Sequence, residues 1–265
     1  MTRTSVALVT GASTGLGREL AALFAADSID LVVVSSERST TELAALAQEL
    51  RSRHGVRVHP ITMNLSAPGA GADLVARVDE LGVEVEYLVN NAGVGILGLK
   101  IQECDPVAVS KMVQLNVVTL TDLTTRYAAR MVKAGHGAIL NISSIAAYVI
   151  PHGLEAGYAA SKAYVRSFSE AVASDLRGTG VTCTHLAPGP TSTEFGRTAG
   201  VGDWSRLDRF IMDAAPVAKA GYDAMRSGKV TVMPGLGNKV MRVAAPLSPS
   251  RRMKALISGY FVARH

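Results

Sequence analysis

This chain has little cysteine, with two among 265 residues. Cys104 and Cys183 are far apart, with no second thiol near either. Neither a disulfide framework nor a Cys-x-x-Cys zinc or redox site can be built from them, and both read as buried structural thiols. His54, His59, His136, His152, His185 and His265 show no i, i+4 pairing and no partner cysteine, which argues against a metal site. Long apolar runs are missing too. No stretch approaches the ~20 residues that span a bilayer, and the run from Val6 to Val9 falls short of the ~7–15 residues of a signal-peptide core. A soluble, cytoplasmic chain is expected.

Acids are absent from the C-terminal part of the chain. From Lys229 onward there are seven Lys or Arg and no Asp or Glu, so residues 1–228 carry 20 bases against 22 acids and the net charge of +5 belongs to the tail. A nearly neutral body lacks the basic stripe that a nucleic-acid-binding face needs, and no nucleic-acid partner is expected. Internal repeats, low-complexity runs and linkers rich in Pro, Gly or Ser are also missing before residue 234. One domain is therefore expected over 1–234, followed by an extension at 235–265.

What is present is the composition of a globular protein, 48% hydrophobic and 18% charged with 25 glycines. At this length roughly 70–75% of the unfolded surface should be buried. Short apolar runs at Ser5–Thr10, Ile29–Ser35, Val56–Thr62, Val85–Asn90, Ala138–Ser143, Val181–Leu186 and Val230–Met233 predict seven strands. Between them Leu16–Ala26, Thr41–Arg53, Asp73–Leu81, Pro106–Lys133 and Tyr158–Arg177 have helical period. That alternation predicts an α/β protein, a doubly wound parallel sheet with both faces covered. Leu31-Val-Val-Val34, apolar without alternation, suits such a strand.

Two motifs carry chemistry. In Thr10-Gly-Ala-Ser-Thr-Gly-Leu-Gly17, between the first strand and helix, three glycines permit a tight turn and close approach of a ligand, and the helix N-terminus favours phosphate. The spacing is Gly-x-x-x-Gly-x-Gly rather than the commoner Gly-x-Gly-x-x-Gly. The same residues formally match the Gly-x-Ser-x-Gly elbow of a hydrolase with Ser13 as nucleophile. That elbow needs strands upstream, and only ten residues precede Gly11. The second motif, Tyr158-Ala-Ala-Ser-Lys162, puts a phenol and an ammonium on one helix face. A phenol near 10 must fall by about 3 units, roughly 4 kcal/mol, to exchange a proton readily at neutral pH, and a neighbouring ammonium pushes that way.

Taken together, these motifs resemble the short-chain dehydrogenase/reductase family in its shorter single-domain branch. The resemblance covers residues 5 to about 234 and includes Asn90-Asn-Ala-Gly93, Asn116, Ser143-Ser144, and Pro188-Gly189 with Thr193. It implies a Rossmann-type fold and an oxidoreductase that reduces a ketone or aldehyde, or runs the reverse. By this likeness Tyr158 is the general acid/base and Ser144 holds the carbonyl oxygen. Lys162 binds the nicotinamide ribose and lowers the Tyr158 pKa, and Asn116 anchors a water that replenishes the proton. The likeness places the cofactor against Gly11, Ser13, Thr14, Gly15, Leu16 and Gly17, then Asn64 and Leu65, Asn90, Ala92 and Gly93. Tyr158, Lys162, Pro188, Gly189 and Thr191 follow, with Thr193 on the carboxamide. It also implies a homodimer or homotetramer that uses the helices at 106–133 and 158–177 as contact faces.

The chain departs from the family pattern in three places. Ser144 lies one residue farther from Tyr158 than usual, so Ser143 and Ser144 compete for the site and Ser144 is preferred. Asn64 stands where the family usually has Asp near the adenine. Glu37 could bind a ribose 2′-hydroxyl as in NAD enzymes, whereas Ser35, Ser36 and Arg38 could receive a 2′-phosphate. The serine ending the second strand favours NADP over NAD.

The irregular stretch 188–213, with Phe195, Trp204 and Phe210, reads as a lid over an apolar substrate cavity. His152, in the loop flanking the substrate, is expected to face solvent. In the tail, Met253, Leu256, Ile257, Tyr260 and Phe261 form an apolar stripe opposite Arg252 and Lys254. It would dock on its own domain or a second subunit, or make peripheral contact with anionic lipid. The rival of a different class keeps the fold without turnover, as a nucleotide-sensing or scaffold protein, and the intact Ser144, Tyr158, Lys162 and Asn116 argue against it.

Overall fold

The computed structural model describes residues 5–148, 156–195, 211–235 and 238. Its centre is a seven-stranded sheet built from β1 (Val6–Thr10), β2 (Asp30–Ser35), β3 (Val58–Thr62), β4 (Val85–Asn90), β5 (Gly137–Ile142), β6 (Val181–Leu186) and β9 (Thr231–Val232). Every ladder is parallel and the order is β3-β2-β1-β4-β5-β6-β9. The chain runs outward from β1 to β3 and then returns to start again at β4. Connections therefore diverge between β1 and β4, where such sheets open a crevice at the carboxyl ends of their strands.

Alternation along each strand divides the core into two layers. Ala7, Val9, Leu31, Val33, Val89, Leu140 and Leu186 face α1 (Gly15–Ala26), α2 (Thr40–His54) and α7 (Ala214–Arg226), against Leu20, Phe24, Leu43, Leu46, Val217 and Met225. Leu8, Val32, Val34, Leu88, Ile139 and Cys183 face the other way, against Leu74 and Val78 of α3 (Ala70–Glu80) and Leu123, Tyr127 and Met131 of α5 (Leu120–Ala134). Leu176, just after α6 (Ala156–Asp175), completes this layer. Burial on both faces explains why these strands read as unbroken apolar runs. Cys183 is 1% exposed and buried as expected, whereas Cys104 is half-buried.

The structure revises three elements. The single helix expected over Pro106–Lys133 is α4 (Pro106–Val113), a π-helical turn at Gln114–Thr119, and α5. Helix α7 has no counterpart among the helices expected from sequence, and it buries Val217, Ala218, Gly221, Tyr222, Ala224 and Met225. The stretch expected to be irregular contains a short parallel ladder between β7 (Thr191–Ser192) and β8 (Met212–Asp213). Trp204, Phe210, His152 and the stripe in the tail lie outside the described residues. No helix among the described residues is long and apolar enough to cross a membrane.

Candidate active site

The turn from β1 into α1 forms one wall of the crevice. Gly11 and Gly15 have φ of +64° and +54°, values that L side chains rarely adopt. At Gly17 the constraint is space, since a Cβ there would lie 2.1 Å from the Gly11 carbonyl oxygen. Ala12 N–H donates to Val34 O at 3.0 Å, which ties the turn to β2. Thr14 is extended and gives the helix no side-chain cap, so Thr14 does not satisfy the first-turn N–H groups, which remain available to an anion. Ser13 is buried and Leu16 packs against the core.

Two motif residues to which the sequence assigns no role, Thr10 and Asn91, hold this turn to β4. Thr10 Oγ1 donates to Val89 O (3.2 Å) and accepts from the N–H groups of Asn91 (3.0 Å) and Ala92 (3.1 Å). Asn91 Nδ2 donates to the carbonyls of Thr10 (3.0 Å) and Gly11 (2.9 Å). Both lie inside the quoted motifs. Asn90 points the other way, its amide donating to Asn141 Oδ1 (2.9 Å) and Thr124 Oγ1 (3.0 Å) beneath the crevice. It holds β4 to β5 with its side chain inside the fold.

Across the crevice, β5 ends in two serines that alternate in direction. Ser143 Oγ donates to Lys162 O at 2.9 Å and is buried, whereas Ser144 is hydrogen-bonded to the Tyr158 side chain. Ser144 Oγ also accepts from Ala146 N–H at 3.1 Å, capping a turn at Ile145–Ala147. Asn116, 1% exposed, lies in the π-helical turn. Its Nδ2 donates to Val94 O (2.9 Å) and Ser161 Oγ (3.2 Å), and its Oδ1 accepts from Val94 N–H (3.0 Å). Ser161 Oγ in turn donates to Tyr158 O at 2.7 Å. Such π turns recur at functional sites because they redirect one side chain out of the regular helical sequence. A Cβ on Gly93 would lie 3.2 Å from Asn116 Oδ1 and 3.5 Å from Lys162 Nζ, so a glycine there leaves room between them.

The electrostatics correct one expectation. Lys162 Nζ lies 5.8 Å from the centre of the Tyr158 ring and donates to Ile142 O at 3.0 Å. Burial pushes the Tyr158 phenol up to about 12, with the Ser144 hydrogen bond pulling the other way, and pushes the Lys162 ammonium down to about 8. Desolvation of both groups outweighs any lowering of the phenol by the ammonium.

The remaining positions frame the crevice. Thr193 approaches Gly15, where a Cβ would lie 3.0 Å from Thr193 Cγ2, and Thr191 Oγ1 donates to Gly189 O at 2.9 Å. Pro188 O accepts from Ile145 N–H at 2.8 Å. Ser35, 3% exposed, directs its hydroxyl to Ser36 O (3.2 Å) and Ser39 O (3.4 Å), so Ser36, Glu37 and Arg38 are the exposed groups beyond β2. Asn64 Oδ1 accepts from Ser66 N–H at 3.0 Å, and Leu65 is buried. Glycines that leave no room for a Cβ, uncapped helix amides and an open end beyond β2 fit a dinucleotide laid from Arg38 to Tyr158.

Residues 5–202 match the profile of the short chain dehydrogenases. The chain belongs to the short-chain dehydrogenase/reductase family. It is similar to two proteins of Chromohalobacter salexigens. One is a sulfoacetaldehyde reductase, 36% identical over 77% of this chain and 79% of that one. The other, sulfoacetaldehyde reductase 2, is 33% identical over 80% and 82%. Among solved structures it resembles a short-chain dehydrogenase from Sphingobium yanoikuyae in complex with NADPH, with a TM-score of 0.82 and 28% identity over 98% of this chain and 96% of that one. The protein is thus an NAD(P)-dependent oxidoreductase with the Rossmann-type fold of this family.

In this member of the family the wall beside Tyr158 is apolar. Met112, Ala146 and the Tyr158 ring are buried together, with Ile96, Leu97, Val109 and Phe195 packed against them. The Phe195 ring lies 5.8 Å from that of Tyr158. Phe195 comes from the lid predicted in sequence. Met112, Ile96, Leu97 and Val109 had no signal beyond being apolar.

Proposed function

We propose that the protein is an NADP-dependent carbonyl reductase that uses Tyr158 as general acid. The observation that supports this best is the Ser144 to Tyr158 hydrogen bond at the carboxyl end of β5, with Lys162 behind it and the glycine turn opposite. Gly11, Ser13, Thr14, Gly15, Leu16 and Gly17 would hold the pyrophosphate. Ser36 and Arg38 would meet the 2′-phosphate, Asn64 and Leu65 the adenine, and Ala92, Gly93, Lys162, Pro188, Gly189, Thr191 and Thr193 the nicotinamide end. When bound, the cofactor would supply the hydride as NADPH in reduction and take it up as NADP+ in the reverse direction.

In reduction, Tyr158 gives its proton to the substrate oxygen while Ser144 donates a hydrogen bond to the same atom. A phenol pushed up to about 12 keeps its proton at neutral pH, as the acid role requires. Lys162, pushed down to about 8, is still mostly charged at pH 7 and can orient hydroxyls of the ribose. Asn116 holds the Val94 backbone and would anchor the water that returns the proton.

The apolar wall of Met112, Ile96, Leu97, Val109 and Phe195 suits an apolar ketone or aldehyde better than the anionic aldehyde named for the relatives. The test is titration of the full chain with NADPH and NADH, followed by turnover with bulky ketones and with sulfoacetaldehyde. NADPH should bind at least about tenfold tighter, roughly 1.4 kcal/mol, and an apolar ketone should be the better substrate. Absence of binding by either nucleotide would sink the assignment, and faster turnover of sulfoacetaldehyde would replace the substrate class.

The protein is further proposed to work in the cytoplasm as a homodimer or homotetramer, with its basic tail peripheral to the catalytic domain. Asn238 is buried and its side chain packs on Gly189, where a Cβ would come within 2.4 Å of it. A truncation meant to spare cofactor binding should therefore keep Asn238 and remove only the residues C-terminal to it. Such a truncation should change oligomer size or liposome binding and leave NADPH affinity within a few-fold.

A further inference from the structure

Ser144 works only if its hydroxyl and that of Tyr158 converge on one oxygen, and the two come from different elements. Tyr158 is carried by α6. Ser144 begins the turn at Ile145–Ala147, which is closed by Ala147 N–H to Ser144 O and Tyr148 N–H to Ile145 O, both 3.0 Å. The near end of this turn is well held. Ser143 N–H donates to Leu186 O (2.7 Å), Ser143 Oγ to Lys162 O (2.9 Å) and Ile145 N–H to Pro188 O (2.8 Å). The far end is Tyr148, and here a side chain does what backbone does at the near end.

The Tyr148 hydroxyl is 3.0 Å from His185 Nε2, and His185 is fully buried on β6 between Asn141 of β5 and Thr231 of β9. On its face, Tyr148 meets the Arg166 guanidinium at 4.6 Å from the ring centre. Arg166 belongs to α6, one turn beyond Lys162. Its Nε is buried and has no hydrogen-bond partner among the described residues, so the group faces the ring without a competing hydrogen bond at that atom. Tyr148 thus joins the Ser144 turn to the sheet and to the helix that bears Tyr158.

We propose that Tyr148, clamped between His185 and Arg166, is a positioning residue for the reaction that anchors the turn so that Ser144 meets the substrate oxygen together with Tyr158. This rests on the roles given to Ser144 and Tyr158 above. Phenylalanine at 148 keeps the ring under Arg166 and removes the bond to His185, so the variant tests the anchor without opening a cavity.

The experiment uses the full chain with NADPH and a carbonyl substrate. Wild type, Tyr148→Phe, Ser144→Ala and the double variant are compared, and amide exchange is followed at Ala146 and Ala147. Tyr148→Phe should lower kcat about tenfold, the scale of one lost hydrogen bond, while NADPH affinity stays within about twofold. In the Ser144→Ala background the same change should cost nothing more, because the residue acts through Ser144. Arg166→Met should give a smaller loss, about threefold. Exchange at Ala146 and Ala147 should quicken about tenfold in Tyr148→Phe and stay unchanged along β5. Additive losses in the double variant would show that Tyr148 acts independently of Ser144, and unchanged exchange would show that it anchors nothing. Either result overturns the proposal. A wild type that consumes no NADPH with any carbonyl refutes the function reading instead, and exchange alone then decides whether Tyr148 anchors the turn.

Discussion

The two walls of the crevice are built on different principles. The wall of Gly11, Gly15 and Gly17 is made of backbone, and its precision comes from what is missing, since a Cβ at Gly17 has no space. The wall of Ser144, Tyr158, Lys162 and Asn116 is made of polar side chains, all but Ser144 buried, each held by a hydrogen bond to a neighbouring element. The difference predicts a division of labour in which changes on the glycine wall weaken nucleotide binding and changes on the polar wall slow turnover of a nucleotide that still binds.

The sharpest break is Tyr158→Phe, which should lower kcat by about 10³-fold or more and leave NADPH affinity within a few-fold by fluorescence titration. An active phenylalanine variant would end the acid role. Next in size is Gly17→Ala, whose methyl group would meet the Gly11 carbonyl at 2.1 Å. It should weaken NADPH by about a hundredfold, roughly 2.7 kcal/mol, in the same titration, and near-normal affinity would mean that the turn can relax. Arg38→Ala should weaken NADPH about fivefold and leave NADH unchanged, about 1 kcal/mol for an exposed charge-assisted contact. Equal effects on both nucleotides would remove Arg38 from the 2′-phosphate.

A pH profile touches the polar wall alone. Lys162 is charged below about 8 and neutral above it. The reduction rate should therefore hold from pH 6 to 7.5, then fall as pH rises through 8, approaching about tenfold per unit. NADPH affinity should change less than kcat, and a flat profile to pH 9.5 would show that the ammonium is not needed.

Much of this arrangement was legible in the residues. Parallel strands buried on both faces leave unbroken apolar runs, and the glycine spacing and the Tyr158 to Lys162 interval survive in sequence because they are local. What stayed hidden was mostly distant. Helix α7, with Val217, Tyr222 and Met225 on its buried face, is legible in its pattern although it is not among the helices expected. Adjacent Ser143 and Ser144 are equal candidates by composition, and only the alternation of their side chains at the end of β5 separates them. Tyr148 and His185 are separated by 37 positions and meet only once β5 and β6 are paired. The direction of the Tyr158 shift was also out of reach, because a helix interval conveys that a charge is near and says nothing of how dry the surroundings are.

The π-helical turn at Gln114–Thr119 has a consequence for indels. Such a turn is a helix carrying one residue more than its regular winding needs. Removing a single residue between 114 and 119 would restore uninterrupted α-helical winding from Pro106 to Ala134 and improve local hydrogen bonding. The faces of α4 and α5 would stay nearly in phase, because the wider turn already absorbs the extra residue, but Asn116 would lose its place opposite Val94. A shorter, tidier helix would come at the expense of the site, which makes this segment intolerant of length change while it still tolerates substitution on its outer face.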